Sequence, residues 1–404
     1  MIVRREILDI ARTLSLRPQI IEKDYVLGWI LAGIYNHTTL ADSWIFKGGT
    51  CLKKCYFETY RFSEGLDFTI QEPARIDSNH LTVVFREIGE WVYENTGIEI
   101  PEGLQEFETF QNPRGTVSCQ GKLSYRGPIA PRSGRLPRIK LDLTFDELLV
   151  LPPTKQFIFY DYSDAPAEGI PVLCYVYKEA FAEKIRALGE RARPRDLYDV
   201  ISLYRKIEAR PEPTKLLELV KRKCAHHSLP VPTLDVLVNH REDLEGSWQP
   251  MLGHQLQALP PLEPFWSNLT EFFDWLQSRP TARLLFPYKI APGESLVKEH
   301  SMRLPIDSTI QSYLETIHFA ASNRMCVDLA YNGTVSYIEP YSLRHTRTGD
   351  IVLLAEELPS GGHRRYRVDR IQGAAVSERG FEPRYTVELG LRDTPIVLKA
   401  AILH

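Results

Sequence analysis

Two neighbouring stretches decide the fold of this 404-residue chain: Phe46-Lys47-Gly48-Gly49-Thr50 and Arg61-Phe62-Ser63-Glu64-Gly65-Leu66-Asp67-Phe68. The first resembles the end of a short strand that is followed by a helix from about Cys51. Two glycines at a helix start let backbone N–H groups approach a phosphate, and the helix dipole favours the anion there. The acidic residues of the second stretch stand just before another predicted strand, where they could carry a metal ion. Taken alone, the pattern also fits a tight turn and a solvated run of charges.

A second polar pattern lies in Ile139-Lys140-Leu141-Asp142-Leu143-Thr144-Phe145. Apolar residues alternate with Lys140, Asp142 and Thr144, so a strand would place these three side chains on one face. A carboxylate in the middle of a strand is unfavourable unless it is paired, hydrogen-bonded or bound to metal. With Asp67 on a neighbouring strand, Asp142 is predicted to complete a Mg²⁺ site, because metal-assisted phosphoryl chemistry needs converging oxygen ligands.

A third pattern is helical. A helix predicted over residues 178–190 carries Lys184, which could offer a point charge to a triphosphate. The next predicted helix starts at about Arg195, and its Asp196 and Asp199 share one face. Alone, this pattern also fits an ordinary surface helix with salt bridges.

Together these motifs resemble the AbiEii abortive-infection nucleotidyltransferase family, which belongs to the DNA polymerase beta-like superfamily. The resemblance covers roughly residues 15 to 280 and rests on the order of its motifs. In chain order they are Glu22-Lys23-Asp24-Tyr25, Lys47-Gly48-Gly49-Thr50, Arg61-Phe62-Ser63-Glu64-Gly65-Leu66-Asp67-Phe68, Lys140-Leu141-Asp142, Glu183-Lys184-Ile185-Arg186-Ala187-Leu188 and Arg195-Asp196-Leu197-Tyr198-Asp199.

The resemblance implies an α+β nucleotidyltransferase fold with a mixed sheet and flanking helices, Mg²⁺ and an NTP as nucleotide donor. For toxin members it implies transfer to the 3′ end of tRNA or another hydroxyl acceptor, and a cognate antitoxin. The nucleotide-binding residues would be Lys47, Gly48, Gly49, Thr50, Ser63 and Lys184. The metal ligands would be Asp67, Asp142 and Glu64. The catalytic residues would be Asp67, Asp142, Lys184, Asp196 and Asp199.

One departure concerns Gly65. The family usually has Ser-Glu-Asp-Leu-Asp at this motif, and Gly65 stands where its first aspartate is expected. Since glycine has no side chain to ligate a metal, Glu64 could substitute, or one metal could be weakly held. The alternative is a degenerate site, which would make the protein a nucleotide or nucleic-acid sensor or scaffold in a defence system.

The chain changes character near residue 290, where helical periodicity gives way to strands and turns. Within this part, the stretches 335–344, 350–355 and 365–371 make residues Thr309 to about Gly390 resemble a WYL domain, a small Sm-like β-barrel. Ile351-Val352-Leu353 replaces the tripeptide that names the family. The resemblance implies binding of single-stranded nucleic acid or a nucleotide. The candidate residues are Tyr341, Ser342, Arg344, Arg365, Arg367 and Arg370. A charged strand with alternate residues solvated is the other interpretation. A transcription regulator is disfavoured because no separate basic recognition helix is evident.

Composition and charge set the remaining expectations. The chain is 43% hydrophobic and 25% charged with a net charge of −3, so bulk charge does not favour nucleic acid. No stretch approaches the roughly 20 apolar residues that span a bilayer, and no signal peptide is evident, which predicts a cytoplasmic protein without membrane contact. Six scattered cysteines do not suggest a disulfide framework, and Cys224 with His226 and His227 lacks a second ligand pair for zinc.

The predicted divisions are a transferase domain over 1–206, its helical region over 207–288, a linker over 289–306 and the WYL-like domain over 307–404.

Overall fold

The computed structural model describes two compact units. The first comprises residues 1–11 and 16–180, and the second comprises residues 12–15 and the described residues after 180. The described ranges are 1–57, 61–71, 77–111, 115–131, 134–279, 285–288, 291–297 and 304–390. None of the helices in these ranges combines the length and the apolar character that crossing a bilayer requires.

The described strands of the first unit form one seven-stranded mixed sheet. They are β1 (Trp44–Lys47), β2 (Gly65–Ile70), β3 (Gln105–Gln111), β4 (Val117–Ser124), β5 (Arg138–Thr144), β6 (Thr154–Phe157) and β7 (Pro171–Cys174). Their order across the sheet is β3-β4-β5-β2-β1-β7-β6. The β2–β5 and β1–β7 pairs are parallel and the other pairs are antiparallel.

The described helices in this part of the chain are α1 (Arg4–Thr13), α2 (Pro18–Asn36), α3 (Gly48–Cys51) and α4 (Ser78–Thr96). Proline at the first turn of α2 is favourable because its missing N–H would have no helical partner there. The α4 helix begins where the Asp77 side chain accepts the N–H of His80 at 2.9 Å, and ends at Gly97 in the left-handed conformation. The α3 helix continues as one wider π-helical turn over Leu52–Tyr56.

One face of the first sheet builds the core of that unit. Phe46 and Phe68 lie 5.6 Å apart between ring centroids, and Trp44 packs against both Phe68 and Phe85 of α4. On β5, Ile139, Leu141 and Leu143 are fully buried and alternate with the polar side chains of the same strand. Because side chains alternate across a strand, the intervening polar residues face the other side of the sheet.

The second unit combines a helical stretch with an antiparallel sheet. Its helices are α5 (Tyr177–Arg191), which begins in the first unit, α6 (Pro194–Arg205), α7 (Pro213–His226), α8 (Leu234–Val238), α9 (Arg241–Leu252), α10 (Glu263–Leu276) and α11 (Ser308–Asn323). Its strands are β8 (Ser295–Leu296), β9 (Met325–Tyr331), β10 (Thr334–His345), β11 (Ile351–Leu358), β12 (Gly362–Arg367) and β13 (Ile371–Gly380). The hydroxyl of Tyr198 on α6 donates to Asn323 Oδ1 of α11 at 2.9 Å, which joins the helical stretch to the helix of the sheet.

The second sheet has the order β12-β11-β10-β9-β13, and β8 pairs with β10. Among the described residues β12 and β13 are its edges, so the predicted closed Sm-like barrel is not confirmed. Part of the predicted linker over 289–306, and residues 391–404 of the predicted WYL-like domain, lie outside the described residues. The described part of the linker includes β8, which belongs to the sheet.

The strands that the sequence predicts at the glycine turn, after the acidic run and over residues 139–145 are confirmed within a few residues as β1, β2 and β5. The predicted α+β class with a mixed sheet is also confirmed. The chain before the glycine turn forms two helices and not one, because Ser15 adopts a left-handed φ of 52° and Pro18 starts the second. The sequence did not predict β3, β6 or β7.

Candidate active site

A row of polar side chains crosses the first sheet on the face opposite its aromatic core. Lys47 on β1 stands opposite Asp67 on β2, and Asp67 stands opposite Asp142 on β5. Asp142 stands opposite Gln120 on β4, and Gln120 stands opposite Glu108 on β3. Paired residues of neighbouring strands share a face, and strands lie about 4.8 Å apart. The two predicted metal ligands, Asp67 and Asp142, are therefore immediate neighbours.

Asp142 is further oriented by its other neighbour in the row. Gln120 Nε2 donates to Asp142 Oδ1 at 3.1 Å. Sequence reasoning did not single out Gln120. An alternating polar position on a strand next to a catalytic strand is the signal that could have identified it.

Lys47 is buried and bound within the sheet. Its Nζ donates to Thr144 Oγ1 at 2.7 Å and lies 3.3 Å from Glu147 Oε1. Since β2 lies between β1 and β5, the lysine side chain spans β2 and holds the end of β5 beside the glycine turn. This contact positions Asp142, two residues before Thr144 on the same face.

The predicted glycine turn begins directly after Lys47. Gly48 has a φ of +80°, and a Cβ at this position would lie 2.1 Å from Asp67 Oδ2. A Cβ on Gly49 would meet the Arg61 guanidinium at 2.9 Å. The Thr50 hydroxyl donates to the carbonyl of Gly65, which ties the turn to the start of β2. The backbone of the turn thus runs directly beside the Asp67 carboxylate.

The other residues predicted near the metal are placed differently. Glu64 is half-exposed and forms an ion pair with Lys23 at 2.7 Å. Ser63 is partly exposed in the segment before β2. Gly65 stands two positions before Asp67 on the same face, where a Cβ would lie 3.2 Å from the carbonyl oxygen of Lys140. The two carboxylates of Asp67 and Asp142 fit a Mg²⁺ ion, since this ion is commonly held by one or two carboxylates together with substrate phosphates and water.

Three successive residues of α2 hold three segments around this face. The carboxylate of the buried Glu22 accepts the N–H of Ile129 at 2.7 Å and so fixes the loop between β4 and β5. Burial raises the pKa of Glu22 against the lowering effect of these backbone hydrogen bonds. Lys23 holds Glu64, beside β2. Asp24 holds Lys54 of the π-helical turn after the glycines.

The Asp24–Lys54 pair is deeply buried. Its N–O distance is 3.0 Å, and the Tyr162 hydroxyl donates to the same Asp24 oxygen at 3.1 Å. Burial acts to raise the pKa of Asp24, but the charges of Lys54 and Lys53 outweigh it and hold the pKa below its ordinary value. The sequence indicated this motif only as a helix signature, because the partners lie far away along the chain.

Three of the predicted catalytic residues belong to the second unit, in α5 and α6. Lys184 Nζ lies 2.7 Å from Asp199 Oδ2, and the Asp199 side chain has no exposed surface. The buried Asp196 accepts two hydrogen bonds from Arg191, at 2.7 and 2.8 Å. The fold therefore brings together Lys184 with Asp199 and, separately, Asp67 with Asp142.

The candidate ligand-binding residues of the second sheet divide into buried and surface groups. Tyr341, Ser342 and Arg344 lie on the central strand β10 and are buried, and Arg344 is ion-paired with Glu388. On the edge strand β12, Arg365 and Arg367 share one face, and their guanidinium groups reach acidic residues. Arg370 lies in the helical turn after β12 and is exposed. The acidic partners are Glu294 for Arg365, and Asp350 and Asp369 for Arg367.

Comparisons with known proteins bear on this geometry. The family model for the nucleotidyl transferase AbiEii toxin of type IV toxin–antitoxin systems matches residues 29–278. Among solved structures, MenT4, a nucleotidyltransferase toxin from Mycobacterium tuberculosis H37Rv, is similar at 21% identity over 69% of this chain and 91% of its own, with a TM-score of 0.47. The proteasome accessory factor PafBC of Arthrobacter aurescens shows 14% identity over 51% of this chain and 32% of its own, with a TM-score of 0.16. No curated protein matches the chain. Because the family model spans more than half of its length, the chain belongs to the AbiEii family of nucleotidyltransferase toxins.

Proposed function

We propose that this nucleotidyltransferase moves a nucleotide from an NTP to a hydroxyl group at the 3′ end of tRNA, using Mg²⁺ held by Asp67 and Asp142. The register that places these two carboxylates side by side on adjacent strands carries the proposal. The oxygen of the acceptor hydroxyl would attack the α-phosphorus of the NTP, and pyrophosphate would leave. When bound, the ion would polarise the phosphoryl group and neutralise developing charge.

The chain's own residues would contribute mainly position and electrostatics. The backbone of Gly48 and Gly49 would approach the phosphates closely because no side chain intervenes. Lys47 would hold β5 in place, and Gln120 would keep Asp142 oriented towards the ion. Lys184 would contact the triphosphate as a point charge. No covalent nucleophile is required, so fixed geometry can supply most of the rate enhancement.

The experiment is incubation of the full-length protein with Mg²⁺, each labelled NTP in turn and total bacterial RNA. Label should enter tRNA-sized RNA with wild type and with the exposed-surface control Asp42→Asn, and should be lost in Asp67→Asn, in Asp142→Asn and after chelation of Mg²⁺. Labelling by Asp67→Asn and by Asp142→Asn at the wild-type level would overturn the metal assignment. Nucleotide binding without any labelled product would instead indicate that glycine in place of aspartate at position 65 has abolished catalysis, as expected of a nucleotide sensor.

Membership of a type IV toxin family implies a cognate antitoxin as partner.

For the second sheet, we propose that the surface arginines bind a nucleotide or single-stranded nucleic acid, as the WYL resemblance implies. Bidentate contact to phosphate suits Arg365, Arg367 and Arg370. Their joint replacement by alanine should weaken binding of a labelled single strand, whereas Arg364→Ala, on the other face of β12, should not. Unchanged affinity of the triple variant would exclude this surface.

A further inference from the structure

Three cysteines meet in the core of the first unit. Cys51 ends α3, Cys55 lies in the π-helical turn that follows, and Cys174 ends β7. All three side chains are fully buried, and their Sγ atoms lie within 4.8 Å of one another. In the described part of the chain, this is the one group of three or more histidine, cysteine or acidic side chains whose ligand atoms are so close.

The spacing of the three sulfurs suits one common ion. With metal–sulfur bonds of about 2.3 Å, three thiolates around one ion stand about 4 Å apart, so the observed cluster needs to contract by less than about 1 Å. Cys51 and Cys55 share one continuous helical segment, and Cys174 stands opposite Phe46 on the parallel strand pair β1–β7. The ligands therefore come from two structural elements that the sheet already holds together.

The three cysteine side chains are hydrogen-bonded to one another. Hydrogen bonds donated by the Cys51 and Cys55 thiols hold the pKa of Cys174 well below its ordinary value, despite burial. Burial in turn raises the pKa of Cys51 and of Cys55. A bound cation would replace the thiol protons, which leave to solvent.

We propose that Cys51, Cys55 and Cys174 form a binding site for a thiophilic metal ion, separate from the carboxylate site on the sheet. An all-sulfur ligand set selects soft ions such as Zn²⁺ or Cu⁺ over Mg²⁺. Because Cys51 directly follows Thr50, an ion here would fasten the helical segment after the glycine turn to β7. Its occupancy would stabilise the first unit and the turn that it carries.

The test is titration of the reduced, full-length protein with Cd²⁺ under anaerobic conditions, following the sulfur-to-cadmium absorption band in the ultraviolet. Competition with Zn²⁺ and with Cu⁺ then distinguishes the two natural ions. We expect one ion per chain in wild type and at least a tenfold weaker affinity in Cys51→Ser, Cys55→Ser and Cys174→Ser. Cys119→Ser is the matched control, because Cys119 is also buried in this unit but stands outside the cluster.

A second measurement covers variants that fold poorly. Zn²⁺ should raise the thermal midpoint of wild type and Cys119→Ser, and should slow native alkylation of Cys51, Cys55 and Cys174 selectively, as located by mass spectrometry. No cadmium–sulfur band in wild type, or an equal band in wild type and in the cluster variants, would overturn the proposal. Alkylation at equal rates with and without zinc would also overturn it.

Discussion

The carboxylate of Asp67 lies directly against the backbone of Gly48, so that a methyl group on the Gly48 Cα would stand 2.1 Å from Asp67 Oδ2. Gly48 also has a φ of +80°, a region that side-chain-bearing residues rarely adopt. Gly48 is thus needed for two reasons: its φ suits glycine, and the Asp67 carboxylate leaves no space for a side chain.

Replacing Gly48 by alanine should abolish nucleotide transfer while lowering stability only moderately. The strained backbone costs about 1–3 kcal/mol, and displacement of Asp67 by about 1 Å can cost roughly a hundredfold in rate. The matched control is Gly97→Ala, because Gly97 has a similar φ of +77° and open space around the added methyl group. Urea unfolding should show the cost of the strained backbone in both variants and a further loss from the contact with Asp67 in Gly48→Ala. The transfer assay should show lost activity only in Gly48→Ala. Retained activity in Gly48→Ala would contradict the close approach.

Removing the charge of Lys54 should destabilise the protein severely. Lys54→Met leaves the buried Asp24 carboxylate without its counter-charge, which typically costs about 3–5 kcal/mol. Lys155→Met is the control, because the Lys155–Asp42 pair is exposed and such pairs contribute about 0–1 kcal/mol. Equal unfolding midpoints for the two variants would show that the buried pair does not support the first unit.

The stability contribution of Glu22 should depend on pH. Because its folded pKa is raised above the ordinary 4.5, ionised Glu22 opposes folding, and its favourable contribution at low pH is lost as the pH rises through the folded pKa. Glu22→Gln removes this titration but keeps an oxygen for the N–H of Ile129. The stability of the glutamine variant relative to wild type should therefore increase as the pH rises from about 4.5 towards neutrality. A pH-independent difference would exclude the raised pKa.

Two substitutions of Glu22 separate the effect of its charge from the effect of its hydrogen bond with Ile129. Glu22→Ala leaves the Ile129 N–H without its side-chain acceptor, at a cost of about 1–3 kcal/mol that Glu22→Gln should avoid. Hydrogen exchange of the Ile129 amide is the direct measurement. We expect faster exchange in the alanine variant only.

Loss of the Lys184 charge should weaken NTP binding. Lys184→Met is expected to raise the KM for NTP about tenfold or more, which corresponds to about 1.4 kcal/mol of lost interaction. Lys223→Met is the control, since Lys223 is also an ion-paired lysine of the second unit, paired with Glu183 at 3.2 Å, and is more completely buried than Lys184. Both variants should lose stability, but KM should change only for Lys184. A KM that rises equally in both variants would assign Lys184 to the fold alone.

Sequence reasoning predicted β5 because its apolar residues alternate strictly with polar ones, and β1 because of its short apolar run Trp44-Ile45-Phe46. The strands β1, β2 and β5 carry buried residues at every second position or throughout, whereas the missed strand β3 is polar and largely exposed along Gln105–Gln111. Strands β6 and β7 have four residues each, too few for a periodic signal, and β1 is as short but is marked by the two glycines that follow its apolar run.

The partners of the predicted residues were beyond the reach of sequence reasoning. Glu22 and Ile129, or Cys51 and Cys174, meet only because the sheet order brings distant segments together. Alternation also failed on β10, where residues 338–344 are all buried. Sequence reasoning assumes that one face of a strand is exposed, and it therefore predicts Tyr341, Ser342 and Arg344 as surface residues. The central strand β10 is instead covered on both faces and has no solvent side.

The polar row from Lys47 to Glu108 runs perpendicular to the strands, so it exists only when four separate ladders are aligned at once. A slip of one residue in any ladder turns the slipped strand's side chains to the opposite face. Since Asp142 enters the row on the fifth strand in chain order, a partly synthesised or misaligned toxin has no complete carboxylate pair. If Asp67 and Asp142 hold the metal as proposed, nucleotide transfer requires correct alignment of all four ladders, and an activity assay should report on folding fidelity.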